Sequence, residues 1–196
     1  MIENWLFVLA IIAILMIPGP TNALLASSAH QQGIIKTSLF IPAELFGYLY
    51  AISIWALFIH IGEPTWPHLV PILHILSIIY VGWLAFRLWK LSYLEQYNQQ
   101  HHHIRPRQLF FATFKNPKAL LFAAGIFPDQ TWNSVAHCLW VYLVFSIVLI
   151  PTAIFWMAFG RAILAGKTDQ IKAAYLYKGS ALILILCMLP IVIGFF

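Results

Sequence analysis

The stretch IPGPTN, at residues 17–22, decides how this chain folds. It follows an apolar run, WLFVLAIIAILM at residues 5–16, whose composition suits a helix that crosses a membrane. Proline removes a backbone donor and glycine widens the allowed dihedral range, so the stretch breaks this helix. We predict that the helix stops near Ile17 and restarts near Thr21, with Thr21 and Asn22 as N-caps of the second piece.

The overall composition indicates an all-α integral membrane protein surrounded by lipid. Of the 196 residues, 62% are hydrophobic and 9% are charged. Soluble domains are nearer about 45–50% apolar and about 25% charged. The formal net charge of +5 would suggest a nucleic-acid partner for a soluble protein. Here the basic residues lie in the predicted loops, so no nucleic-acid partner is expected.

Hydropathy divides the chain into six predicted transmembrane helices, since a helix needs about 20 apolar residues to cross the hydrocarbon core. The predicted spans are roughly 4–29, 37–61, 67–91, 108–128, 133–160 and 173–196. The polar stretch 92–107 is predicted to be a cytoplasmic loop between two halves, 1–91 and 108–196, of a single domain covering 1–196. Three helices per half make the second half enter the membrane from the opposite side, which predicts inverted halves.

The basic residues predict the orientation through the positive-inside rule. With both termini outside, all eleven Lys and Arg residues fall in the inner loops or their flanks. The outer side then holds Glu3, Glu63 and Asp129 and no basic residue. We therefore expect the N-terminus and the C-terminus to lie outside.

A second break, KNPKA at residues 115–119, opens the fourth predicted span. Asn116 suits an N-cap and Pro117 suits the first helical position. Both restarting helices carry partial positive charge at their N-termini, which favours an anion such as a carboxylate, and Lys118 would add a full charge. Carbonyls at a break, or an acidic side chain, would accept an ammonium group. The pair of breaks therefore predicts a site for a zwitterion such as an amino acid, and two simple proline kinks are the alternative.

Glu44 is the acidic residue that lies well inside a predicted span. It follows Lys36 by eight residues, which places it roughly 12 Å deep at a rise of 1.5 Å per residue. Intramembrane acids face a bundle interior or water. Ala43, Gly47 and Ala51 form a small-residue ladder beside it, which predicts close packing on another helix. We expect Glu44 to lie at a depth similar to that of Lys118, either as a proton carrier or as a structural partner.

The motifs PGPTN at residues 18–22 and NPKA at residues 116–119 resemble those of the lysine exporter family, including its homoserine/threonine-resistance branch (LysE/RhtB). The resemblance extends over the whole chain in length, six spans and motif spacing. It implies a bacterial inner-membrane exporter of amino acids or related metabolites, driven by a proton or cation gradient. Thr21 departs from the family pattern, in which Asn is frequent at this place, and so does the acid in PAELFG at residues 42–47.

The predicted activity is secondary transport rather than enzymatic chemistry, without a cofactor or a bound metal. Two alternatives stay open, namely a metal-cation exporter and a non-transporting membrane scaffold. The faces of small residues permit a homodimer without requiring one. The candidate coupling residue is Glu44, with H⁺ as the expected ion, and the candidate substrate-binding residues are Pro18, Gly19, Pro20, Thr21, Asn22, Asn116, Pro117 and Lys118.

Overall fold

The computed structural model describes residues 2–62 and 104–164, together with separate residues between Thr65 and Phe86. This part of the chain is helical and contains no strand. The α-helices are α1 (Ile2–Met16), α2 (Pro20–Gln32), α3 (Ile34–Ser38), α4 (Ile41–Gly62), α5 (Pro106–Phe114), α6 (Lys118–Leu121) and α7 (Val135–Leu164). A π-helical segment, Phe122–Ile126, continues α6, and a 3₁₀ turn, Asp129–Asn133, precedes α7.

The first predicted break separates α1 from α2, and the two pieces are bent by 63°. Gly19 adopts extended dihedrals (φ −151°, ψ 178°) and is the N-cap of α2, while Pro20 occupies its first turn. The prediction that Thr21 and Asn22 cap this helix is therefore wrong. Proline is pre-organised for the first helical position, so the helix begins at Pro20 and both polar residues fall inside its first turn.

The second predicted break separates α5 from α6. The side-chain Oδ1 of Asn116 accepts a hydrogen bond from the backbone N–H of Lys118 at 3.1 Å. The Asn116 carbonyl also accepts one from the N–H of Ala119 at 3.0 Å. Asn116 thus caps the new turn as predicted, although the assigned helix begins at Lys118 rather than Pro117, a difference within the usual spread of helix ends.

The described helices account for part of the predicted membrane topology. Two stretches, Ile34–Gly62 and Val135–Ala162, are long and apolar enough to cross a membrane, and the bent pair Trp5–Met16 and Pro20–Gln32 is a third candidate. The predicted spans 67–91 and 173–196 lie largely or wholly outside the described residues. Six spans in two inverted halves therefore remain a prediction.

Close backbone approaches hold the described helices together at two glycines. A Cβ at Gly47 on α4 would lie 2.8 Å from Thr113 Cβ and 2.9 Å from the Phe110 carbonyl on α5. A Cβ at Gly160 on α7 would collide with the backbone of Ala26 on α2. The predicted small-residue face of α4 is thus a packing face, and a second such contact joins α2 to α7.

The bundle has two ends, which we name after residues found there. At the Trp132 end, Phe7 of α1 and Trp132 of the 3₁₀ turn both pack on Phe127. At the Gly33 end, which contains the junction of α2 and α3, Leu109 of α5 and Met157 of α7 form an apolar cluster with residues of α2. The two helix breaks lie between these ends.

Candidate functional site

The break between α1 and α2 leaves backbone carbonyls without helical partners, and side chains satisfy two of them. Asn22 Nδ2 donates hydrogen bonds to the carbonyl of Leu15 at 3.0 Å and to the carbonyl of Ile17 at 2.7 Å. Trp156 Nε1 also donates to the Leu15 carbonyl, at 3.4 Å. Since an unsatisfied backbone group is costly away from water, the hydrogen bonds from Asn22 stabilise this break.

Lys118 reaches into the same break from the other half of the chain. Its side chain is 1% exposed, and its Nζ donates a hydrogen bond to the Ile17 carbonyl at 2.6 Å. A Cβ at Gly19 would lie 3.4 Å from both Cε and Nζ of Lys118. The two sequence motifs therefore meet, and the lysine of the second lies directly against the glycine of the first.

Glu44 supplies the negative charge of the site. It is 3% exposed, and its carboxyl group interacts with the Thr21 hydroxyl group and, electrostatically, with Lys118. Within the described part of the chain, Glu44 Oε2 has no hydrogen-bond partner. An isolated buried charge is very costly, so the opposite charges of Glu44 and Lys118 stabilise each other in the interior. Glu44 thus keeps one acceptor oxygen available beside a buried ammonium group.

Asn116 connects the elements around these charges. Its Nδ2 lies 3.5 Å from Thr21 Oγ1 on α2 and donates to the hydroxyl group of Tyr48 on α4 at 3.2 Å. Its Oδ1 is occupied by the Lys118 amide. One asparagine therefore positions the second break against both α2 and α4.

The two restarting helices differ in whether their first backbone amides are hydrogen-bonded. At α6 the amides of Lys118 and Ala119 are bonded to Asn116. At α2 the first backbone hydrogen bond runs from the Ala23 N–H to the Gly19 carbonyl, and the Thr21 and Asn22 amides form no hydrogen bond with the described residues. The positive end available to an anion is thus that of α2.

The structure brings together most of the side chains that the sequence suggested. Gly19, Thr21 and Asn22 of the first motif meet Asn116 and Lys118 of the second, with Glu44 beside them. The three prolines shape the backbone rather than contribute a polar group. They are Pro18, Pro20 and Pro117.

Sequence reasoning missed Tyr48 and the carbonyls of Leu15 and Ile17. Tyr48 had a usable signal, because it follows Glu44 by one helical turn and so shares its face. The carbonyls had none, because which of them turn towards the site depends on the 63° bend.

Replacing Asn22 by alanine is expected to destabilise the protein by about 1–3 kcal/mol, since it removes buried donors from two carbonyls. The matched control is Asn133→Ala, because Asn133 is exposed in the 3₁₀ turn. Thermal unfolding of the purified variants in detergent provides the comparison. Equal unfolding midpoints for the two variants would contradict the role given to Asn22.

These observations define a helical membrane protein in which two helix breaks enclose a buried pair of opposite charges. A family model described as LysE type translocator matches residues 12–195, so the chain belongs to the LysE type translocator family. This confirms the resemblance noted from the two motifs and implies a membrane transport protein. Comparisons with curated proteins and with solved structures returned no significant match.

Proposed function

We propose that this protein is a secondary active exporter of amino acids or closely related metabolites. We place it in the bacterial inner membrane with both termini outside, and we propose that a proton or cation gradient drives it. The observation that carries the proposal is the buried ammonium group of Lys118 in the α1–α2 break, with the carboxyl group of Glu44 nearby. A substrate with both charges is complementary to this arrangement.

The available hydrogen-bonding groups suggest how a zwitterion binds. Lys118 has three donors, of which the Ile17 carbonyl takes one. The remaining donors and the first-turn amides of α2 are suited to a carboxylate. Glu44 Oε2 is suited to an ammonium group. Because a zwitterion adds no net charge, its entry keeps the buried site neutral, which limits the desolvation cost.

Glu44 also offers a simple route to proton coupling. The carboxyl group of Glu44 takes up a proton more readily when the site is empty than when a substrate ammonium group lies beside it. Binding of substrate from inside would therefore release a proton inwards, and release of substrate outside would allow a proton to bind. Substrate and proton then exclude each other, which is what exchange in opposite directions requires. The two halves would rock around this site to expose it alternately.

Replacing Glu44 by glutamine is expected to abolish efflux driven by a pH gradient while preserving exchange of labelled for unlabelled substrate. Glutamine keeps an acceptor for the substrate ammonium group but cannot carry the proton. The measurement uses proteoliposomes loaded with labelled amino acids one at a time, with and without an imposed pH gradient. Unchanged gradient-driven efflux in Glu44→Gln would remove Glu44 as the proton carrier, and exchange is the internal control for folding.

The same proteoliposomes separate this proposal from its alternatives. If the wild-type protein transported a divalent cation but no amino acid, a metal-cation exporter would be the correct function instead. Among the described residues, no group of three or more His, Cys, Asp or Glu side chains is placed so that it could hold a metal ion. A well-assembled protein that moves neither class of solute would instead favour the scaffold alternative.

A further inference from the structure

An aromatic cluster fills the bundle between the buried charges and the Trp132 end. Successive rings contact each other with centroids 5.0–6.5 Å apart, mostly edge to face, which is the favourable range for aromatic pairs. Tyr48, Phe122 and Phe145 are fully buried. The cluster consists of Tyr48, Phe122, Phe127, Trp132, Tyr142 and Phe145.

Tyr48 belongs to both the aromatic cluster and the polar site. Its hydroxyl group accepts the hydrogen bond from Asn116, and its ring lies edge-on to Phe122 at 6.0 Å and to Phe145 at 5.7 Å. Asn116 in turn caps the turn that carries Lys118. Asn116 therefore links Lys118 to the first ring of the cluster through hydrogen bonds.

A second connection runs through the backbone. Lys118 begins the helical segment that continues as the π-helix Phe122–Ile126 and ends at Phe127. The N–H of Phe127 bonds to the carbonyl of Phe122 at 2.9 Å, so two rings of the cluster bracket the π turn. Gly125, inside this turn, is exposed, and a Cβ there would meet nothing within 4 Å among the described residues. Single π turns inside α-helices are frequent at functional sites, and no described residue crowds this one at Gly125.

We propose that the aromatic cluster is a gate that closes the site towards the Trp132 end, and that Tyr48 is the positioning residue that couples the gate to the site. The inference rests on the proposed transport function, because alternating access requires a closure on one side of a bound substrate. In this gate, the fully buried rings of Tyr48, Phe122 and Phe145 exclude water and ions between the charges and this end. Loss of the Asn116–Tyr48 hydrogen bond removes one of the contacts that position the first ring, and rearrangement of the π turn displaces Phe122 relative to Phe127.

The test measures access to the site rather than transport. Both native cysteines, Cys138 and Cys187, are replaced by serine, and Thr21→Cys supplies a reporter thiol within the polar site. A membrane-impermeant methanethiosulfonate with a trimethylammonium group is added to one face at a time. The face at the Trp132 end is identified with a separate Gln130→Cys variant, because Gln130 is exposed in the 3₁₀ turn.

The gate predicts slow labelling of Thr21→Cys from the Trp132 end. Adding Tyr48→Phe, which keeps the ring and removes the hydroxyl group, is expected to accelerate labelling from that face about tenfold, the effect of one buried hydrogen bond on an opening equilibrium. Phe127→Leu is expected to accelerate it as well. Tyr50→Phe is the matched control, because Tyr50 lies on the same helix and is exposed, and it should leave the rate unchanged.

Two results would overturn the gate. One is an unchanged labelling rate in Tyr48→Phe and Phe127→Leu variants that elute as monodisperse protein. The other is equal acceleration from both faces, which would indicate general loosening of the bundle. Since the assay needs no substrate, asymmetric acceleration supports the gate even if no amino acid proves to be transported.

Discussion

Replacing Lys118 by methionine is expected to abolish substrate transport and to destabilise the protein by about 3–5 kcal/mol, the usual cost of leaving a buried charge without its partner. Methionine has a similar length and removes the ammonium group that bonds to Ile17 and balances Glu44. Efflux from proteoliposomes and thermal unfolding measure the two effects.

Two controls separate the loss of charge balance from general damage. Lys115→Met changes an exposed lysine three residues earlier and should leave stability and transport near wild type. The double variant Lys118→Met with Glu44→Gln removes both buried charges and should recover most of the stability without recovering transport. Wild-type efflux in Lys118→Met would show that the ammonium group takes no part in substrate handling.

Replacing Gly160 by alanine is expected to prevent correct packing of α7 on α2. The added Cβ would collide with three backbone atoms of Ala26, and backbone atoms cannot rotate aside as a side chain can. The helices must separate. We therefore expect the free energy of unfolding to fall by more than the cost of about 1–3 kcal/mol that is typical of overpacking. The yield of monodisperse protein in size-exclusion chromatography provides the measurement.

The matched control for Gly160 is the same substitution at Gly125, where an added Cβ meets nothing within 4 Å among the described residues. Gly125→Ala should give a wild-type yield of folded protein. If Gly160→Ala gave the same yield, the close approach of α2 and α7 would be contradicted.

The helix breaks were predictable because their cause is local. Pro18 and Pro20 lack N–H groups wherever the chain goes, so α1 had to end near residue 17, and it ends at Met16. The capping of α6 by Asn116 was equally local. At α2 the same local reasoning failed, because Pro20 at the first helical position moved the cap back to Gly19. Asn22 was then free to serve the carbonyls of the break instead.

The meeting of Glu44 and Lys118 was predictable only as a similarity of depth. Counting residues from the membrane edge placed both at comparable levels, but it could not show which helix faces turn towards each other. The partners of Tyr48 and the π turn lay beyond sequence reasoning for the same reason. The role of Tyr48 depends on Asn116 and Phe122, which lie 68 and 74 positions further along the chain. A π turn has no simple sequence pattern.

The central claim is that the two buried charges receive the two charges of a zwitterionic substrate. The most direct test compares an amino acid that wild-type protein transports with its carboxamide, which keeps the ammonium group and lacks the carboxylate. Binding of both compounds is measured as an upward shift of the thermal unfolding midpoint, in wild type and in a Lys118→Gln variant stable enough to purify. We expect wild type to prefer the amino acid strongly and Lys118→Gln to lose this preference. Equal shifts of the wild-type midpoint by acid and carboxamide would contradict the account.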